Sequence, residues 1–153
     1  MAGRSGKTHP GDVFELVVDA GFGHVQFIGT HAEYGDAIRV APGVSARPEG
    51  IVASLFEGGT YVTFYPLRAA LSKKLIRKVG HLPASSLPQR LRRAGMRIGG
   101  RVETWIIEDE TGEKLYRHLS ESQLSLPIAA IWNHEFLIQR IREGWHPEQD
   151  GSV

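Results

Sequence analysis

The chain lacks cysteine, long hydrophobic runs and an obvious targeting segment. None of its 153 residues is a cysteine, so disulfides, thiolate metal ligands and cysteine nucleophiles are excluded, and a reducing compartment suits the chain. No stretch approaches the ~20 consecutive apolar residues of a membrane span, and residues 1–12 lack the apolar run of a signal peptide. These absences predict a cytoplasmic protein that does not enter a membrane.

Acidic residues are missing from the middle of the chain. Residues 1–57 carry four basic and seven acidic side chains, residues 58–102 carry ten basic and no acidic ones, and residues 103–153 carry four basic and ten acidic ones. The net charge of +1 therefore hides a central third of +10 between flanks of −3 and −6. Either the central third forms a positive surface, or the acidic flanks fold back onto it.

Glycines interrupt two apolar runs near the start, in PGDVFELVVDAGFGHVQFIG (residues 10–29). Phe14, Leu16 and Val18 alternate with their neighbours, which is the period of a β-strand. A phosphate-binding loop would lead into a helix, but a β-branched and aromatic run follows here. We therefore predict a hairpin over 12–28, with the glycines as turn residues that accept positive φ.

The clearest helix lies near the end of the chain, over about 134–144. Asn133 is its expected N-cap, Leu137, Ile141 and Trp145 form an apolar stripe, and Gly144 marks its end. The other patterns are shorter. They predict strands at 36–41, 51–56, 60–65 and 74–80, a short helix at 66–71, a helical turn at 89–94, a hairpin within 101–120 and a buried stretch at 126–132.

This order of elements indicates an α+β fold that is mostly β. We expect a curled or small-barrel-like antiparallel sheet with one main C-terminal helix. The expected organisation is a single domain over 1–153, which consists of a β-rich part (9–83), a connector (84–99) and a hairpin plus helix (100–147).

Catalytic and cofactor motifs fail on spacing. GRSGKT (3–8) would need the first glycine of a Walker A motif at Met1, and HEFLI (134–138) has isoleucine where a zinc protease has its second histidine. GVSAR (43–47) ends in arginine, so it is not a nucleophile elbow. His24 and His31 lack a third metal ligand. The sequence therefore predicts no enzyme activity, no metal and no cofactor.

Charged residues of the connector and the following hairpin are the candidate binding residues. Arginines suit phosphates or acidic protein surfaces. The acidic run could supply acid–base carboxylates, contact a partner or form a solvated turn. The candidates are Arg90, Arg92, Arg93, Arg97, Arg101, Glu108, Asp109 and Glu110. No aromatic residue between 83 and 102 offers a base-stacking platform. Four other aromatic residues pack in the core, line a ligand pocket or anchor an interface: Trp105, Tyr116, Trp132 and Trp145.

Several stretches together resemble the immunity protein 26 family of bacterial polymorphic toxin systems, over roughly residues 9–147. They are PGDVFELVV…GFGHVQFIG, EYGDAIRV, YVTFYPLRAAL…LIRKVGHLP and LPIAAIWNHEFLIQRIREGW. The resemblance implies a small cytosolic, non-enzymatic protein that binds and blocks a toxin. The alternative is a small-barrel nucleic-acid-binding module that uses the basic segment 68–101, because residues 10–29 are also loosely similar to SH3-like domains of transcription-associated proteins.

Overall fold

The fold is α+β and mostly β, with its main helix near the C-terminus, as predicted. A computed structural model describes residues 7–46, 53–88, 90–94, 97–98, 101–102, 104–109, 112–124 and 126–147. The strands are β1 (Asp12–Val18), β2 (Gly21–His31), β3 (Gly35–Val40), β4 (Tyr61–Phe64), β5 (Arg77–His81), β6 (Leu91–Ala94), β7 (Arg97–Ile98), β8 (Arg101–Val102), β9 (Trp105–Asp109) and β10 (Gly112–Tyr116). The helices are α1 (Leu67–Ser72), α2 (Glu121–Leu124) and α3 (His134–Glu143).

The first sheet has the antiparallel order β4-β3-β2-β1-β5. Its hairpin of β1 and β2 confirms the prediction for 12–28. Helix α3 packs on one face, and its stripe of Leu137, Ile141 and Trp145 is buried. The helix begins as predicted, because the Phe136 N–H donates to Asn133 Oδ1 at 2.7 Å, and it ends at Gly144, whose φ is 64°.

The glycines of the first hairpin do not serve the role predicted for them. The residue with positive φ in the turn is Asp19, at 55°, because a short polar side chain tolerates this conformation. Gly21 and Gly23 lie within β2. A Cβ on Gly21 would lie 2.7 Å from the Ser45 carbonyl oxygen, and one on Gly23 would lie 2.9 Å from Ile141 Cδ1. The glycines therefore permit close packing of a loop and of α3 against the strand.

The second sheet has the order β10-β9-β6, and β7 and β8 form a separate pair. The helical turn predicted at 89–94 is wrong for its described residues, since 91–94 form β6 and pair with β9. The predicted connector thus contains strands. The strand predicted at 51–56 is also wrong where it is described, because Ala53–Phe56 is a 3₁₀ turn; residues 51 and 52 lie outside the described part.

An extended segment at 127–132, here the bridging segment, joins the two sheets. On one side the Arg92 N–H donates to the Pro127 carbonyl at 2.9 Å, and the Ala129 N–H donates to the Arg92 carbonyl at 2.9 Å. On the other side the Ile128 N–H donates to the Val62 carbonyl in β4 at 2.8 Å. Within the described residues, the strands therefore run from β5 to β10 without closing into a barrel.

Three of the four aromatic residues considered above belong to the interior. Trp132 and Trp145 pack with ring centroids 5.4 Å apart and both lie against Tyr61. Trp105 is also buried, whereas Tyr116 on β10 is half-buried. The core-packing interpretation therefore holds for the three tryptophans.

Candidate functional site

The acidic flanks do fold back onto the basic centre. Four basic residues of the central third pair with carboxylates from the flanking thirds, each within 4 Å. The pairs are Arg68–Asp36 (3.9 Å), Arg77–Glu15 (2.8 Å), Lys78–Asp12 (3.3 Å), Arg93–Glu108 (2.6 Å) and Arg93–Glu113 (3.0 Å). Much of the charge asymmetry along the chain is therefore balanced locally in the folded protein.

The densest group of these charges is the Arg93 cluster, which consists of Arg93, Glu108 and Glu113. The two glutamates lie directly opposite each other in the β9–β10 ladder, where like charges repel. Arg93 reaches from β6 and donates to both carboxylates. Partial burial lowers the pKa of Arg93, but Glu108, Tyr34 and Glu113 raise it more, so the pKa lies above its usual value. The cluster thus holds one positive and two negative charges.

Arg92, the neighbour of Arg93, points to the opposite face of the sheet. Its side chain is 0% exposed, and its guanidinium carbon lies 5.0 Å from the centroid of the Trp105 ring. Alternation along a strand separates the two arginines. Arg92 therefore packs inside the protein, and its prediction as a surface contact is wrong.

The other predicted residues are described less completely. Arg90 is exposed just before β6. The backbones of Arg97 and Arg101 belong to the β7–β8 pair, but their side chains, like that of Asp109, lie outside the described part, as does all of Glu110. Of the eight candidates, the structure brings together Arg93 and Glu108.

Sequence reasoning missed two residues beside them, Glu113 and Leu115. Both lie on β10, and Leu115 is 69% exposed. A tight turn in the predicted hairpin would have indicated both residues. A two-residue connection after Asp109 places residue 113 opposite 108 and residue 115 opposite 106. Arg93, Ile106, Glu108, Glu113 and Leu115 share one side of the second sheet. We call these five residues the outward face, because each of them is exposed or half-buried. Leu91 lies on the same side of the sheet but is buried.

A separate cleft of about 450 Å³ lies between α1 and the start of α3. The Tyr65 hydroxyl and His134 Nδ1 form a 2.7 Å hydrogen bond there. Burial raises the pKa of Tyr65 and lowers the pKa of His134, so both groups are neutral near pH 7. A neutral pair of this kind anchors the first turn of α3 beside the end of β4. Lys73 and Glu135 are charged residues of the lining.

The histidines considered as metal ligands have other surroundings. His31 Nδ1 accepts hydrogen bonds from the backbone N–H groups of Glu33 and Tyr34, at 3.1 and 3.3 Å. His24 lies opposite Glu15 in the β1–β2 ladder, and burial lowers its pKa despite the opposing effect of Glu15. Within the residues that the structure describes, no group of three or more histidine, aspartate or glutamate side chains is arranged to hold a metal ion.

Comparisons with known proteins add no relative. No protein-family model matches the chain, and no curated protein or solved structure is significantly similar to it. Among the helices of the described ranges, none has both the length and the apolar character needed to cross a membrane. Any function must therefore be argued from the residues and their geometry.

Proposed function

We propose that the protein is a non-enzymatic, immunity-type protein of the bacterial cytoplasm that binds and neutralises a protein toxin. The observation that carries this proposal is the Arg93 cluster on the outward face. Its charges are held by hydrogen bonds across three strands, so little side-chain entropy remains to be lost when a partner binds. The resemblance of residues 9–147 to an immunity family supports the same class of function.

The composition of the outward face suits a protein partner. Arginine is enriched among the residues that dominate binding at protein interfaces. Arg93 lies on the same face as exposed Leu115 and half-buried Ile106, whose burial by a partner would remove apolar area from water. Charges of both signs at fixed positions select a complementary partner and speed its association. A toxin surface with an apolar centre and its own paired charges would be complementary to this face.

The charge balance disfavours the alternative of a nucleic-acid-binding module. Arg93 lies between two carboxylates, so the cluster as a whole is negative and repels phosphates. Arg77 and Lys78 are likewise bound to Glu15 and Asp12. A phosphate would have to compete with these carboxylates for Arg77, Lys78 and Arg93.

The test is binding to a toxin encoded beside this gene. The purified proteins are mixed and their dissociation constant is measured at several salt concentrations. Arg93→Glu should weaken binding roughly tenfold or more, equivalent to about 1.4 kcal/mol. Arg142→Glu is the matched control. Arg142 lies on α3, away from the outward face, and forms an exposed ion pair at 2.9 Å with Asp19 in the β1–β2 turn. It should leave the affinity unchanged.

A parallel titration with duplex DNA tests the alternative. Submicromolar DNA binding that falls steeply with salt, without a protein partner, would replace the immunity proposal. Equal loss of toxin binding in Arg93→Glu and Arg142→Glu would instead move the contact away from the outward face.

A further inference from the structure

Strand β10 is an open edge of the second sheet. In the described part of the chain it pairs only with β9, whereas the bridging segment covers the other edge through hydrogen bonds to Arg92. An uncovered edge presents unpaired N–H and C=O groups that accept another strand. The question is which strand fits.

The ladder determines which backbone groups of β10 point outward. Asp109 and Gly112 are paired and only two residues separate them, so they must exchange their own N–H and C=O groups. Hydrogen-bonded and non-hydrogen-bonded pairs alternate in an antiparallel ladder. The N–H and C=O groups of Glu113 and Leu115 therefore point away from β9, toward the open edge.

The last four residues of β10 and the residue after them, EKLYR (113–117), form a sequence that is complementary to itself, with Arg117 in the bend that directly follows the strand. If two copies pair antiparallel about Leu115, each Leu115 faces Leu115 of the second copy. Glu113 then faces Arg117 of the second copy, and Arg117 faces its Glu113. All three residues are exposed. Pairing about Lys114 or about Glu113 would instead place like charges opposite each other, which is unfavourable.

We propose that β10 pairs with β10 of a second copy of this chain, about a two-fold axis at Leu115. The pairing uses the outward-pointing backbone groups of Leu115 and Glu113, buries an exposed leucine against its equivalent and forms two identical ion pairs between the copies. The result is an isologous dimer with a continuous six-stranded sheet. The inference does not depend on the proposed function, since it requires only the purified chain.

The experiment is sedimentation velocity over a concentration series, with circular dichroism to verify folding. The wild-type chain should show a monomer–dimer equilibrium. Arg117→Glu and Leu115→Lys should each weaken it roughly tenfold or more, because the first creates two Glu–Glu contacts per dimer and the second places two lysines opposite each other on the axis. Combining Glu113→Arg with Arg117→Glu restores opposite signs and should recover the dimer. Arg142→Glu, on α3, should have no effect.

Hydrogen exchange provides a second measurement that needs no substitution. Exchange of the Leu115 N–H should slow as the wild-type concentration rises, because that group becomes hydrogen-bonded only in the dimer. A chain that stays monomeric throughout the series overturns the proposal. So does a dimer that is unaffected by both Arg117→Glu and Leu115→Lys.

Discussion

The two sheets have the same antiparallel pairing but are stabilised in different ways. The first sheet buries one face against α3, and Leu137 and Ile141 in that helix are 0% and 2% exposed. The second sheet buries Arg92, Trp105 and Ile107 on one side and carries the Arg93 cluster on the other. Burial of a large apolar side chain contributes about 1.5–3 kcal/mol, whereas an exposed ion pair contributes about 0–1 kcal/mol. The second sheet therefore depends on its buried side and on the bridging segment.

The sharpest test of this difference compares neighbouring arginines. Arg92→Glu places a carboxylate in a fully buried position over the Trp105 ring, so we expect a loss of about 3–5 kcal/mol, the range for an uncompensated buried charge. Arg93→Glu, one residue along the strand, removes two partly exposed ion pairs and adds repulsion with Glu108 and Glu113, so it should cost about 2 kcal/mol or less. Urea unfolding of both variants measures the contrast, and similar losses would mean that the two faces of β6 do not differ as described.

The apolar side of the comparison is tested in α3. Leu137→Ala and Ile141→Ala should each lower the free energy of unfolding by about 2–5 kcal/mol, because each leaves a cavity in a packed core. Val17→Ala on β1 is the control, because Val17 is 62% exposed, and it should change the free energy of unfolding by about 0.5 kcal/mol or less. Losses below that value at both helix positions would contradict the packing of α3.

The glycines of β2 test how closely the first sheet is packed. Gly21→Ala brings a Cβ to 2.7 Å from the Ser45 carbonyl oxygen, so the backbone of that loop must shift, and we expect a loss of about 1–3 kcal/mol. In Gly23→Ala the nearest atom, 2.9 Å away, is the flexible end of Ile141. The loss there should be smaller, as measured by thermal unfolding. The reverse order would show that the loop yields more easily than α3.

The N-cap of α3 offers a smaller perturbation. Asn133→Ala removes the acceptor of the Phe136 N–H and should cost about 1 kcal/mol. Asn133→Asp retains an acceptor and is the matched control. Equal destabilisation of both variants would show that the cap hydrogen bond is not the cause.

A change of pH is the mildest perturbation and acts mainly on the first sheet. Burial lowers the pKa of His24 from its ordinary value of 6.5, so below pH 6.5 the unfolded chain binds more protons than the folded one. The stability contributed by neutral His24 is therefore complete above pH 6.5 and is lost as the pH falls toward the folded pKa. Denaturant unfolding at a series of pH values should show this decline, and His24→Gln should reduce it. An unchanged slope in that variant would assign the decline to other groups, such as His134.

Asp12 makes stability depend on pH in a second, more acidic range. Burial raises its pKa, but hydrogen bonds from the His9 backbone and from the His81 and Lys78 side chains lower it further, so the pKa lies below the ordinary 3.8. The corresponding stability is present above pH 3.8 and is lost as the pH falls through the folded pKa. Asp12→Asn should reduce the dependence of the free energy of unfolding on pH in this acidic range only. An effect confined to the histidine range would contradict the assignment.

Local patterns by themselves determined the strongest elements of this protein. Alternation identified β1 and β2, and Asn133, the apolar stripe and Gly144 defined α3 from its cap to its end. In each case the signal lies within a few neighbouring residues, so the backbone preference and the burial of one face agree. The failure of short segments to match known catalytic motifs was likewise visible from neighbouring residues alone.

Only the tertiary structure decided the roles of the charged residues. Arg92 and Arg93 are adjacent and chemically identical, and their fates differ because 91–94 form a strand rather than the predicted helical turn. That strand exists because β9 and the bridging segment, distant in sequence, supply its hydrogen bonds. Likewise, Glu113 joins Arg93 through pairing across three strands. Long-range pairing overrides weak local preference, and it distributes the charges of a basic segment between the interior, internal ion pairs and an exposed face.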